Sequence, residues 1–195
     1  MIIAIKIKLK PTKEQEVLFW KSAGTARWAY NYFLCESENH YSEYLKGNRK
    51  TKTISEGEVR KYINNILKKT THKWLGEVGS NVVKQAVKDA NLARQRWFDG
   101  ISGKPKFKCR RKSKISFYVN YESLKRTKEG FQGEKLGIVK TYQSGLSTLF
   151  HTTFIRSFLL GDILLGSYNS EHYEYVYCYT IIHNFAIPFS ILLNF

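Results

Sequence analysis

The hydrophobic pattern of this chain changes period at Pro11, and that switch fixes the order of its first two elements. Ile3, Ile5, Ile7 and Leu9 alternate with positions that include Lys6, Lys8 and Lys10. Period two with β-branched residues marks a half-buried strand, here with a cationic outer face. Pro11 closes it. From Thr12 the spacing becomes three and four, through Val17, Trp20, Gly24, Trp28, Asn31 and Leu34. Leu18, Phe19, Ala23, Ala26, Tyr30 and Phe33 widen the stripe, so one long helix running to about Leu45 packs on more than one neighbour. Thr12 and Gln15 have capping-box spacing, and Glu14 and Glu16 sit near the positive helix end.

Two further helices follow on the same reasoning. Ser55 and Glu58 form a second capping box before a stripe of Val59, Ile63, Ile66 and Leu67. Thr70 to Lys73 breaks that helix, and Trp74 and Leu75 read as an apolar anchor. Ser80 is expected to cap a third helix with Val83, Ala86, Val87, Ala90, Trp97 and Phe98 on its core face, ended by Gly100 and Gly103. Short strand-like runs then appear at 115–120 and 136–141. Strand, about three helices, then strands is an α+β order, read as a partial β-barrel interrupted by a helical insertion. The expected segments are 1–11 for the first barrel strand, 12–103 for the insertion and 104–141 for the return to the barrel.

Charge supplies the functional lead. Residues 1–143 hold 31 Lys and Arg against 13 Asp and Glu. Such an excess calls for a polyanionic partner, nucleic acid or an anionic membrane surface. Seven of the eleven residues at 104–114 are Lys or Arg, set around Phe107. Cations neutralise phosphates and release counterions, and a Phe among them can stack on an unpaired base. Charge runs are also commonly just solvated, but the Lys face of the first strand, the 46–52 loop and Lys68-Lys69 point the same way. Nucleic acid is therefore the expected partner, with Lys6, Lys8, Lys104, Lys106, Phe107, Lys108, Arg110, Arg111 and Lys112 as candidate contacts.

Gly24, Arg27 and Asn31 share one face of the long helix. Two readings stay open there. Gly24 would admit a close backbone while Arg27 and Asn31 contact phosphate or base edges. Alternatively, Gly24 marks tight helix packing, Arg27 an internal ion pair and Asn31 a buried amide.

Enzymatic chemistry finds little footing. Cys35, Cys109 and Cys178 lack the paired spacing of a zinc site or disulfide framework. The five histidines have no metal-ligand spacing. Asp is confined to Asp89, Asp99 and Asp162, whereas a two-metal nuclease needs several converging carboxylates. The expectation is no catalytic residue, no metal or cofactor, no small-molecule substrate, and, with no signal-peptide pattern, a cytoplasmic location.

The order of motifs resembles a known family. KIKLKPTKEQE, WKSAGTARWAYNYFL, KWLGEVGSNVVKQAVKDANLARQRWFDG and GKPKFKCRRKSKISFYVN are similar to the N-terminal part of TnpB proteins, the OrfB transposases of small insertion elements. The resemblance spans about residues 3–141. It implies a wedge-like β-barrel holding a helical insertion classed as helix-turn-helix, and binding to guide-type RNA and DNA. It places Gly24, Arg27 and Asn31 in the insertion and Lys104, Lys106, Phe107, Lys108, Arg110 and Arg111 in the return to the barrel.

The resemblance also implies a RuvC-like nuclease domain beyond this region, and usually a zinc ribbon. Neither pattern occurs from about residue 142, where the composition changes instead. Residues 144–195 hold four charged residues and eleven Phe and Tyr. A frameshifted, unrelated tail over 142–195 is the expectation, with a soluble extension as an alternative. A membrane tail is disfavoured: Tyr175–Phe195 carries no charge over 21 residues, but His183, Asn184, Pro188 and Asn194 lower its hydrophobicity. The expected function is that of a nucleic-acid-binding fragment without nuclease activity. The alternative is an independent, non-catalytic DNA- or RNA-binding accessory protein of a mobile element.

Overall fold

The computed structural model describes residues 2–113, 116–120, 123–142, 175–181 and 190–194. The change of period at Pro11 becomes strand β1 (Ile2–Lys10) followed by helix α1 (Lys13–Leu45). The capping box is formed: the Thr12 hydroxyl accepts from the Gln15 N–H at 3.3 Å, and Gln15 Oε1 accepts from the Thr12 N–H at 3.0 Å. Helix α2 (Glu56–Tyr62) starts on the second capping box, Ser55 with Glu58. Hydrogen bonds from Ser55 hold the Glu58 carboxyl below the usual range. The helix then widens into a π-turn over Ile63–Leu67, passes a 3₁₀ turn at Lys73–Gly76 and reaches helix α3 (Ser80–Phe98).

At 33 residues, α1 is long enough to serve two cores. Its N-terminal half contributes Phe19 and Ala23 to a cluster with Leu9, Val82, Phe117, Val119, Phe131, Leu136 and Val139, between the sheet and the starts of α1 and α3. Its middle contributes Ala29, Tyr30, Phe33 and Leu34 to a helical cluster with Val59, Ile63, Leu75, Val83, Ala86, Val87 and Ala90. Ala29 and Ala90 are completely buried, so small side chains line the contact between α1 and α3. The core face of α3 read from spacing is correct from Val83 to Ala90, whereas Val17 and Trp20 of the α1 stripe and Ile66 of the second stripe are exposed, at 53%, 48% and 46%, where no neighbouring element covers them. The reading also fails at the end of α3, where Trp97 and Phe98 are 37% and 48% exposed, because the last turn projects beyond the core.

The remaining elements are strands: β2 (Ser116–Asn120), β3 (Lys125–Arg126), β4 (Gly130–Gly133), β5 (Gly137–Thr141), β6 (Tyr175–Ile181) and β7 (Ser190–Asn194). All pairings are antiparallel, in the order β2-β7-β6-β1-β5-β4-β3. The architecture is thus α+β. Strands β2 and β3 end the order, and no pairing between them closes a barrel among the described residues. Backbone segments 175–181 and 190–194 lie between β1 and β2 in this order; the other positions of the 143–195 stretch, like Lys114, lie outside the described residues. No helix among the described residues is long and apolar enough to cross a membrane. One glycine is dictated by the sheet: a Cβ at Gly130 would lie 2.0 Å from the Val139 carbonyl oxygen on the neighbouring strand.

The start of α3 corrects the expectation for Ser80. The N-cap position is Gly79, and Ser80 is the first helical residue. The capping acceptor is Glu134, in the turn between β4 and β5. It accepts from the Ser80 N–H and hydroxyl, both at 3.2 Å, and from Asn81 Nδ2 at 3.3 Å. A carboxylate here satisfies orphan N–H groups and faces the positive helix end. Gln15 makes a parallel connection from α1, its Nε2 donating to the carbonyls of Leu136 and Ile138 at 3.0 and 2.9 Å. The β4–β5 hairpin thereby holds the N-termini of both long helices. Replacing Glu134 with Ala should cost about 1 kcal/mol, the usual loss of a helix cap, as a lower midpoint in urea unfolding; Glu134→Gln should recover part of it.

Candidate nucleic-acid interface

The basic segment owes its position to a polar residue of α1. Asn31 Nδ2 donates to the Lys108 carbonyl at 2.8 Å, and Asn31 Oδ1 accepts from the Lys108 N–H at 2.8 Å. The side-chain amide thus meets the backbone as a neighbouring strand would, satisfying both polar groups of one residue. The Lys108 side chain turns inward. Its ammonium lies 4.1 Å from the centre of the Tyr30 ring, a cation–π distance. Burial pushes its pKa down, opposed by the Asp89 charge. Asp89 accepts from Gln85 Nε2 at 2.7 Å, and burial pushes its carboxyl up.

The neighbours of Lys108 face outward. Lys106, Phe107, Arg110, Arg111 and Lys112 are all exposed, Phe107 at 54%. A turn closes the segment, with the Ser113 N–H donating to the Cys109 carbonyl at 3.0 Å and the Cys109 N–H to Ser113 Oγ at 2.9 Å. Lys104 pairs with Glu38 at 2.8 Å. No ion pair engages Lys106, Arg110, Arg111 or Lys112 among the described residues. Four cations therefore stand on a short anchored stretch without acidic partners.

Arg27 joins this surface. It is half-buried, has no ion pair among the described residues, and lines a groove of about 360 Å³ with Val17, Trp20, Lys21, Gly24 and Arg110. Gly24 is open: a Cβ there would meet only the Arg27 guanidinium, at 4.0 Å. Of the two readings of the Gly24, Arg27 and Asn31 face, the described residues give neither tight packing at Gly24 nor an ion pair for Arg27. The structural reading fits Asn31, whose amide is spent on Lys108. The structure brings Arg27 and Arg110 together on one groove. For Lys6 and Lys8 it gives backbone register alone, opposite Tyr177 and Tyr175.

Sequence reasoning missed two residues that shape the interface, Tyr30 as the platform for Lys108 and Glu38 as the partner of Lys104. Neither has a local signal, since each meets a residue more than sixty positions away. Among the described residues no three His, Cys, Asp or Glu side chains are placed to hold a metal ion.

Replacing Asn31 with Ala leaves the Lys108 N–H and carbonyl without their partner. The cost should be about 1–3 kcal/mol, the range for an orphaned, partly buried polar group, with faster hydrogen exchange of the Lys108 amide. Asn31→Asp keeps the acceptor but sets an oxygen against the Lys108 carbonyl, and should also destabilise.

Comparison with curated proteins found no match. Residues 1–46 match the family model of a helix-turn-helix domain of the OrfB type. In the structure these residues comprise β1 and the whole of α1, including Gly24, Arg27 and Asn31. Over this N-terminal stretch the chain is thus similar to the OrfB-type helix-turn-helix domain.

Proposed function

We propose that the chain is a DNA-binding protein of the OrfB kind, which grips the phosphate backbone with the segment anchored by Asn31. The observation that carries this reading is that Lys106, Arg110, Arg111 and Lys112 have no ion pair among the described residues and stand on a stretch whose path is fixed. Solvated charge runs are mobile, and holding cations in place lowers the ordering cost of binding. Arg27 and the groove it shares with Arg110 extend the surface onto α1. The match of residues 1–46 to a helix-turn-helix domain supports DNA as the ligand. Guide-type RNA, which the resemblance implies, would meet the same row of cations through its phosphates.

Binding should weaken steeply with salt, with a log–log slope of about −0.9 per phosphate contacted on duplex DNA. Replacing Lys106, Arg110, Arg111 and Lys112 together with Ala should reduce the slope by up to about four such units. Lys108 is left intact in this variant because its side chain packs on Tyr30. Wild-type binding that ignores salt, or is missing at low salt, contradicts the reading.

The proposal is one of binding without cleavage. Asp89 is engaged by Gln85, and Asp99 is exposed at the end of α3. Protein incubated with Mg²⁺ or Mn²⁺, guide RNA and target should leave the DNA intact. Cleavage abolished by Asp89→Asn or Asp99→Asn would overturn this part.

A further inference from the structure

A second groove, of about 400 Å³, opens where the end of α3 meets α1. This is within the size range of ligand clefts, ~300–1,000 Å³. Three aromatic residues line it, Tyr41, Trp97 and Phe98, and each has a cation beside its ring. Lys52 lies 5.9 Å from the centre of Tyr41, Lys104 5.9 Å from Trp97 and the Arg94 guanidinium 5.1 Å from Phe98.

Arg94 is the unusual member. It is only 6% exposed, yet no hydrogen bond or ion pair joins its guanidinium to a described residue. The one carboxylate on the groove, Glu38, is paired with Lys104 at 2.8 Å, and its charge also acts on Arg94 without contacting it. Buried charges are normally paired, and a guanidinium carries five donors in a fixed fork suited to phosphate or a base edge. Ser37 Oγ, on the same wall, is also buried without a hydrogen-bond partner among the described residues. Aromatic faces, surplus positive charge and unmet donors together define what fits: a flat aromatic group attached to an anion.

We infer that this groove takes one unpaired nucleotide of a single-stranded nucleic acid, its base stacked on the aromatic wall and its phosphate or base edge accepting hydrogen bonds from Arg94. The inference rests on the proposed nucleic-acid function and adds to it a site for single strands, separate from the cation row at 106–112. Base–aromatic stacking tolerates any base, so the site holds a strand without reading its sequence.

The test uses the full chain with an oligothymidylate and an oligouridylate of about ten nucleotides, beside a duplex, by fluorescence anisotropy. Trp97→Ala and Tyr41→Ala should each weaken single-strand binding by about ten- to a hundredfold and leave duplex affinity unchanged. Arg94→Gln should do the same. Both aromatic residues are more than a third exposed, so their variants keep the fold even if the Arg94 variant does not. An abasic strand of equal length should bind wild type and Trp97→Ala alike. If both aromatic variants bind the oligonucleotides as wild type does, the groove assignment is wrong, and duplex binding through the cation row still stands. If wild type binds neither single strand nor duplex, both readings fail together.

Discussion

Two hydrogen bonds between the Asn31 amide and the backbone of Lys108, one donated and one accepted, decide where the basic 104–113 segment stands. Without them the 104–113 stretch would be a charged loop with freedom to sample solvent. With them, one residue of the stretch is fixed on α1, and the cations on either side inherit defined positions. The geometry also divides the segment into two roles. Lys108 points in and packs on Tyr30. Lys106, Arg110, Arg111 and Lys112 are exposed and have no ion pair among the described residues.

The clamp works because α1 is itself held along its length. Its first turns belong to the core shared with the sheet, its middle to the core shared with α2 and α3. Gln15 ties its start to the β4–β5 hairpin, and Glu134 of the same hairpin caps α3. The helix that carries Arg27 and Asn31 and the helix that carries Arg94 and Trp97 are thus fixed relative to a common turn. Both candidate surfaces, the cation row and the aromatic groove, are products of that arrangement.

Much of this was legible in the sequence, because it is encoded locally. The period change at Pro11, the capping boxes at Thr12 and Ser55, and the run of α1 to Leu45 all came from residues within a turn of one another. What escaped depends on long-range partners. The cap of α3 is Glu134, 54 residues from Ser80, and local reasoning assigned that role to Ser80 itself. Helical spacing placed Trp97 and Phe98 in the core, but spacing reports a face and not how far the neighbouring helix extends. Gly24, Arg27 and Asn31 were correctly set on one face, yet only the fold shows that Asn31 serves the chain while Arg27 is left open.

The central claim is that an anchored row of cations, and not the general basicity of the chain, contacts phosphate. Lysine-acylation footprinting with and without duplex DNA tests it most directly. The account predicts strong protection of Lys106 and Lys112, while Lys13 and Lys50, also exposed but outside the 104–113 segment, react as in the free protein. Uniform protection of all four lysines, or protection that spares Lys106 and Lys112, would contradict it.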